Sequence, residues 1–371
     1  MKNIIKAAGA VVCAAAVLCA SGCSGNTKWA YKTDKAELGN GQWIYCTFEG
    51  VSLAISEVQK TDEKADLNSI DWDKQEIDGE PAKDWIYAKA KEAGLNYIMM
   101  EGLAIDNGIT VDETVFNANK SSYSYFYNNY YKDLFTKLGV SEDSYCEVSI
   151  RPNIISDELF NKMYGTGGVR EVPKADVEKF FTDNYVSYYY ISCDMTKTEN
   201  DEAVDLDKET ADKYKANFNK YAAMINTDKK TPADVTAQYK VDFEIKDGET
   251  VPEVSETSYK DNMQTSELNT AILEAKEGEA AVKEISGKLY LIYRYDISSK
   301  VPLIKANDED TGDDAAEIIS KEDILKKMKI DDFNQYLKEE RDKLQYDRND
   351  ACVHKYDVSR TINILKETGN S

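Results

Sequence analysis

Apolar positions in the first third of the chain fall mostly at helical spacing. Trp85, Ala88, Ala90, Leu95, Ile98, Met99 and Leu103 recur every three or four residues after the Pro81 start signal, and predict a helix to about Asn107. A second helix is predicted from about Asp112 to Leu138, stopped by Gly139 at the position that favours glycine. A third follows the Ser141-Glu142-Asp143-Ser144 cap and carries Ile150, Ile154, Ile155, Leu159 and Met163 to Gly165. Before them, residues 42–58 alternate apolar and polar in places (Trp43, Tyr45, Thr47, Val51, Leu53, Ile55), which predicts one or two strands. Residues 60–75 are polar and predict a loop.

The pattern then changes to mixed helix and strand. A short helix is predicted around Val177, Phe180 and Phe181, and a strand from Ser187 to Met195, rich in aromatic and β-branched residues. An acidic loop leads to a helix at about 207–226. Thr231-Pro232-Ala233-Asp234 has the N-cap, N1 proline and N3 acid of another helix start. Ser266 to Leu273 predicts a short helix, and Leu289 to Ile297 a second strand. Residues 305–317 are acidic and predict a solvated linker. Ser320 to Asp323 caps a last long helix, followed by a strand-like stretch from Ala351 to Val358 and a short tail. No repeat of fixed period is present. The expected fold class is α+β.

The ends and the composition narrow the function classes. Lys2 and Lys6 precede an apolar run, Ala7 to Ala20, too short to span a bilayer comfortably; this predicts a cleaved secretion signal over residues 1–22. Ala20-Ser21-Gly22-Cys23 resembles the lipobox of bacterial lipoproteins, with Ala20 where Leu is usual, and implies a lipid anchor on Cys23 and a tether over 23–41. An ordinary cleaved signal followed by a chance cysteine is the alternative. The 371 residues carry a net charge of −22 and are 42% apolar, enough for a packed core. Such a charge repels nucleic acid, so no nucleic-acid partner is expected.

The chain has seven Cys. Beyond the signal and Cys23, Cys46, Cys146, Cys193 and Cys352 remain, without a Cys-x-x-Cys pair; both disulfides and buried free thiols stay open. The single His, His354, excludes any mechanism that needs two imidazoles. No Gly-x-Ser-x-Gly elbow, His-Glu-x-x-His or phosphate-binding loop is present, so no cofactor and no metal are expected.

The order of signal, helices, α/β module and returning helix resembles the PrsA-like and SurA-like extracytoplasmic foldases, in which a parvulin-type prolyl isomerase domain is inserted into a helical chaperone domain. The best local matches are Val172 to Tyr185, the helix at 207–226 with the Thr231 to Phe243 segment, and Glu277-Gly278-Glu279 followed by Ile285 to Ile292. The resemblance implies a helical domain at 42–170, a parvulin-like domain at 171–300, an acidic linker at 301–319, and a helix and tail at 320–371 packing on the first domain. The family's two strand histidines face each other across the prolyl pocket. By order their places fall on Tyr190 and on Tyr290, or on Leu289 with a one-residue slip, and the family's Gly-Gly-Asp-Leu-Gly segment is replaced by polar sequence at 240–262. This implies weak or lost isomerase activity at Tyr190 and Tyr290. Tyr123, Tyr125, Phe126, Tyr127, Tyr130 and Tyr131 form an aromatic cluster on one helix, too wide for a single helix face, and are the candidate client-binding residues.

The implied function is a membrane-anchored foldase, lipid-anchored on the extracytoplasmic face of the cell membrane, acting on unfolded or nascent secreted proteins; a homodimer through the helical region is compatible with the pattern. Two alternatives stand beside it. One is an active prolyl isomerase with an altered site. The other is a solute- or glycan-binding surface lipoprotein in which Trp43, Trp72 and Trp85 stack on sugars.

Overall fold

The computed structural model describes residues 26–199, 202–246, 248–263, 265–305 and 318–369. The fold is α+β, in two compact units. One is formed by the chain up to Leu159 and from Tyr336 onward, the other by Phe160–Gln335.

The first unit opens with an antiparallel pair, β1 (Trp29–Lys32) and β2 (Glu37–Gly39), and enters helix α1 (Asn40–Gln59). The strands expected over 42–58 are therefore helix. The Gln42 side chain caps the start by accepting from the Gly39 N–H at 2.7 Å. The helix is buried on several sides, at Trp43, Ile44, Cys46, Thr47, Val51, Ala54 and Val58, so its apolar residues form no single stripe and its β-branched and aromatic content reads as strand. A two-residue hairpin, β3 (Glu76–Ile77) and β4 (Glu80–Pro81), precedes α2 (Ala82–Asp106). α1 and α2 pack closely: a Cβ on Gly50 would stand 2.9 Å from the Ile86 carbonyl oxygen, which only glycine avoids.

α3 (Glu113–Phe126) is capped by Asp112, whose carboxylate accepts from the Thr114 and Val115 N–H groups. A π-helical turn, Tyr127–Tyr131, interrupts the expected continuous helix before α4 (Lys132–Leu138). Gly139 closes α4 at φ +93°, and α5 (Glu142–Tyr164) follows.

The second unit holds α6 (Lys174–Asn184), β5 (Tyr185–Asp194), the hairpin β6 (Thr196–Glu199) and β7 (Glu202–Asp205), α7 (Lys208–Asn226), α8 (Pro232–Asp242), β8 (Glu253–Tyr259), α9 (Glu267–Glu274), β9 (Ala280–Ile285) and β10 (Lys288–Arg294). A short parallel pair, β11 (Ile304–Lys305) and β12 (Ile319–Ser320), leads into α10 (Lys321–Lys343). The central sheet is antiparallel throughout, in the order β8-β5-β10-β9. Strand alternation divides β5 between two layers. Tyr189, Ile191 and Cys193 pack with Phe218 and Tyr221 of α7 and Val235 and Tyr239 of α8; Val186 and Tyr188 pack with Ile272 of α9. β9 and β10 are joined by Ser286 and Gly287, both at positive φ, the two-residue hairpin turn that matches strand twist.

After α10 the chain returns to the first unit. β13 (Asp347–Arg348) pairs with β1, and α11 (Asp350–Lys355) and α12 (Val358–Gly369) complete it. The strand expected from Ala351 and the plain tail are both helices. Val358 and Ile362 are buried against Val51, Trp72 and Ile86.

Candidate functional site

The two tyrosines singled out by strand order come together. β5 and β10 are hydrogen-bonded neighbours, with Tyr190 opposite Ile292 and Tyr290 opposite Ser192. Both rings lie on the α9 side of the sheet, half-buried, with centroids 5.7 Å apart and planes at 73°. Leu289 faces the other side, beside Cys193, and Tyr290 is the residue that meets Tyr190. Tyr188 extends the cluster: its ring stacks on Tyr190 at 6.3 Å, and its hydroxyl donates to Glu256 Oε2 at 3.1 Å. Burial raises the Tyr190 phenol, with Tyr290 adding to the effect, and burial raises Tyr188 as well. These phenols stay neutral near pH 7. They can hydrogen-bond a peptide carbonyl, but they offer no group that exchanges protons at that pH.

Beside this cluster, in the same unit, runs a groove of about 840 Å³. Tyr185 and Tyr188 of β5, residues 256–259 of β8, Met263, Asn269 and one side of α10 line it. Tyr185 pairs across the strands with Tyr259, ring centroids 5.2 Å apart. Burial, reinforced by Asp323, pushes the Tyr185 phenol up to about 12. Lys327 Nζ sits 5.0 Å from the Tyr259 ring centroid, and Ser258 Oγ donates to Glu256 Oε1 at 2.6 Å. The period of two along β5 could have flagged Tyr188 as a companion of Tyr190. Glu256 carried no such signal, because its strand lies in a stretch whose polar residues read as loop.

The aromatic segment of the first unit divides into an inner and an outer set. Tyr127 is buried, and its hydroxyl donates to the Val140 carbonyl at 3.2 Å. Tyr123 and Tyr131 pack on the same core, where Tyr131 stacks on Phe135 at 5.1 Å. A π turn carries more residues per turn than an α-helix, which keeps Tyr127, Tyr131 and Phe135 in line on the core side. Tyr125, Phe126 and Tyr130 stay outside, 57%, 50% and 65% exposed. Their rings touch one another at 5.8–6.2 Å, so they form one aromatic patch.

The other candidates are placed as follows. Cys23 lies outside the described residues. Trp43, Trp72 and Trp85 are all buried, with each indole N–H donating at 3.1 Å, to the Tyr356 and Leu67 carbonyls and to Asp78 Oδ2. None presents a face to a sugar. His354 is exposed. Cys46, Cys146, Cys193 and Cys352 are free and buried, and burial pushes Cys46 and Cys193 up to about 12 and Cys146 and Cys352 up to about 11, which leaves them unreactive thiols. Among the described residues no group of acidic, Cys or His side chains has metal-binding geometry, and no helix is long and apolar enough to cross a membrane.

No family model matches the sequence, and no curated protein does. Among solved structures, the chain is similar to the foldase protein PrsA from Lactococcus lactis, with a TM-score of 0.34 and 13% sequence identity over 92% of this chain and 98% of that one.

Proposed function

We propose that this chain is a membrane-tethered extracytoplasmic foldase of chaperone type, anchored through Cys23, that holds unfolded segments of secreted proteins and has weak prolyl isomerase activity or none. The observation that carries this reading is the exposed patch of Tyr125, Phe126 and Tyr130, three large rings in mutual contact on the surface of a helical unit. Contiguous exposed aromatic surface is unusual on a soluble protein and marks an interaction site. Tyrosine suits contact with many sequences, because an apolar ring and a polar tip serve both kinds of neighbour.

The low isomerase activity follows from the tyrosine pair. A prolyl isomerase lowers a barrier of about 18–20 kcal/mol by easing rotation about the peptide bond. Here the two places hold tyrosines, half-buried and edge to face against each other, instead of the family's two histidines. The second reading, an active isomerase with an altered site, rests on the same juxtaposition, since two phenol hydroxyls could still hydrogen-bond an imide.

The test pairs two assays on one sample. Suppression of aggregation of a reduced, unfolded client is expected at equimolar chain, and to fall at least several-fold in a Tyr125→Ser/Phe126→Ser/Tyr130→Ser variant of unchanged melting temperature. Absence of suppression by the unmodified chain would rule the reading out. Catalysis on an Ala-Pro peptide that disappears in Tyr190→Phe or Tyr290→Phe would establish the isomerase instead.

A further inference from the structure

We infer that the end of the first unit formed by residues 26–32 and 347–356 rests on the membrane surface, with Lys28 and Lys355 at lipid phosphates and the Trp29 ring at headgroup level. The inference rests on the Cys23 anchor of the foldase reading, and adds to it an orientation and a contact surface. The chain is pinned to the fold as soon as it reaches Asn26. Asn349 Nδ2 donates to the Asn26 carbonyl at 2.6 Å and to the Trp29 carbonyl at 2.9 Å. The Asn40 N–H donates to the Lys28 carbonyl at 2.9 Å, and Lys355 Nζ to Thr27 Oγ1 at 3.4 Å. Asn26 follows Cys23 by three residues, a reach of roughly 11 Å even when fully extended. A unit anchored at Cys23 therefore keeps this end against the bilayer.

The side chains there suit that place. The two segments carry the cations Lys28, Lys32, Arg348 and Lys355 against the carboxylates Asp347 and Asp350, and Glu37 stands opposite Lys32 on β2. Both carboxylates of the segments are met by neighbours: Arg348 bonds Asp350 at 3.0 Å, and Lys32 lies 3.7 Å from Asp347. Lys28 and Lys355 are exposed and, among the described residues, pair with no carboxylate. They are free to meet lipid phosphates. Trp29 is the one tryptophan of four that is not buried. Lys32 Nζ sits 4.7 Å from its ring, and Lys355 Nζ 5.0 Å from the Tyr356 ring. Aromatic rings beside long basic side chains suit a membrane–water boundary, where one end is apolar and the other wet. Charge sets the same orientation from a distance. An anionic bilayer repels a chain of net charge −22, but the anchor holds it within roughly one Debye length, about 8 Å. The end with a small excess of cations is then the one turned inward, and basic side chains at that surface are attracted to it.

The experiment uses the full chain, expressed with its own signal in bacteria and reconstituted into vesicles of phosphatidylcholine and phosphatidylglycerol in equal parts. The phosphatidylcholine carries bromine near the top of its acyl chains, which quenches indole fluorescence on contact. Quenching is expected in the parent and is expected to vanish in Trp29→Phe, because the other three indoles are buried. Lys28→Glu is expected to lower the quenching about fivefold, the usual worth of one basic side chain at an anionic surface. Lys28→Arg is expected to keep it, and Lys28→Glu with Lys355→Glu to remove the rest at an unchanged melting temperature. Absence of quenching in the parent, quenching that persists in Trp29→Phe, or quenching indifferent to both charge reversals overturns the inference. The mass of the N-terminal peptide from the same vesicles reports the anchor separately. Lipid on Cys23 without Trp29 quenching leaves the anchor and overturns the orientation; Trp29 quenching without that lipid keeps the surface and removes the anchor.

Discussion

Single side chains in the first unit show how burial sets charge. Arg151 grips Glu101 with two hydrogen bonds of 2.6 and 2.9 Å, and Gln42 donates to Glu147 at 2.8 Å, so those carboxylates are directly bonded. Glu49 on α1 is half-buried, and burial raises its carboxyl above the ordinary 4.5, with only a hydrogen bond to Tyr45 opposing. The sign follows from linkage. A carboxyl whose folded pKa lies above its unfolded value binds more protons when folded. Its contribution to stability is present at low pH and is lost as pH rises from 4.5 through the raised folded value. Glu49→Gln removes this loss. The variant is expected to melt higher than the parent at pH 7, with the advantage shrinking as pH is lowered to 4. Melting curves across that range check it, and a constant difference at every pH would contradict the assignment.

Elements in the second unit are legible wherever an end signal and a period agree. Thr231 and Asp234 form the complete reciprocal cap: the Asp234 N–H donates to Thr231 Oγ1 at 3.2 Å, and the Thr231 N–H donates to Asp234 Oδ2 at 2.8 Å. Ser266 caps α9 at 3.1 Å and Ser320 caps α10 at 3.1 Å, as the residues announce. Thr231→Ala is expected to destabilise the second unit by about 1 kcal/mol, the usual cost of an N-cap; native-state hydrogen exchange of α8 amides would show faster opening, and unchanged exchange would mean the cap carries nothing.

Elements fail to show where burial or pairing comes from far along the chain. α1 hides its helical period because it is covered on several sides, and β8 looks like polar loop because its side chains are exposed or half-exposed along the strand. The same reason divides the candidate site. Tyr190 and Tyr290 are found by strand order, whereas Glu256 and the α10 side of the groove depend on pairings that no local pattern contains. The π turn is likewise invisible, since the run of aromatics states only that one helix face cannot hold them all.

At the scale of the whole molecule, the first unit is closed by residues more than three hundred positions apart. β13 joins β1, and the Trp43 indole donates to the Tyr356 carbonyl at 3.1 Å. α12 buries Val358 and Ile362, with Leu365 beside them, on the cluster that holds Val51, Trp72 and Ile86. Full burial of an apolar side chain stabilises by about 1.5–3 kcal/mol, so these residues together contribute an amount comparable with the 5–15 kcal/mol that typically separates folded from unfolded domains. A chain ending at Asp357 should therefore lose the first unit. Removing α12 also bares the Trp72 side of the core, and the loss is expected to reach the Tyr125 patch, because α12 contacts α4 and Arg360 donates to the Leu138 carbonyl at 3.1 Å. The expected outcome is a fall in melting temperature of more than 10 °C, on the scale of about 2–4 °C per kcal/mol for a domain of this size, together with loss of aggregation suppression. Unchanged melting would mean that the helix is an appendage and that the core closes without it.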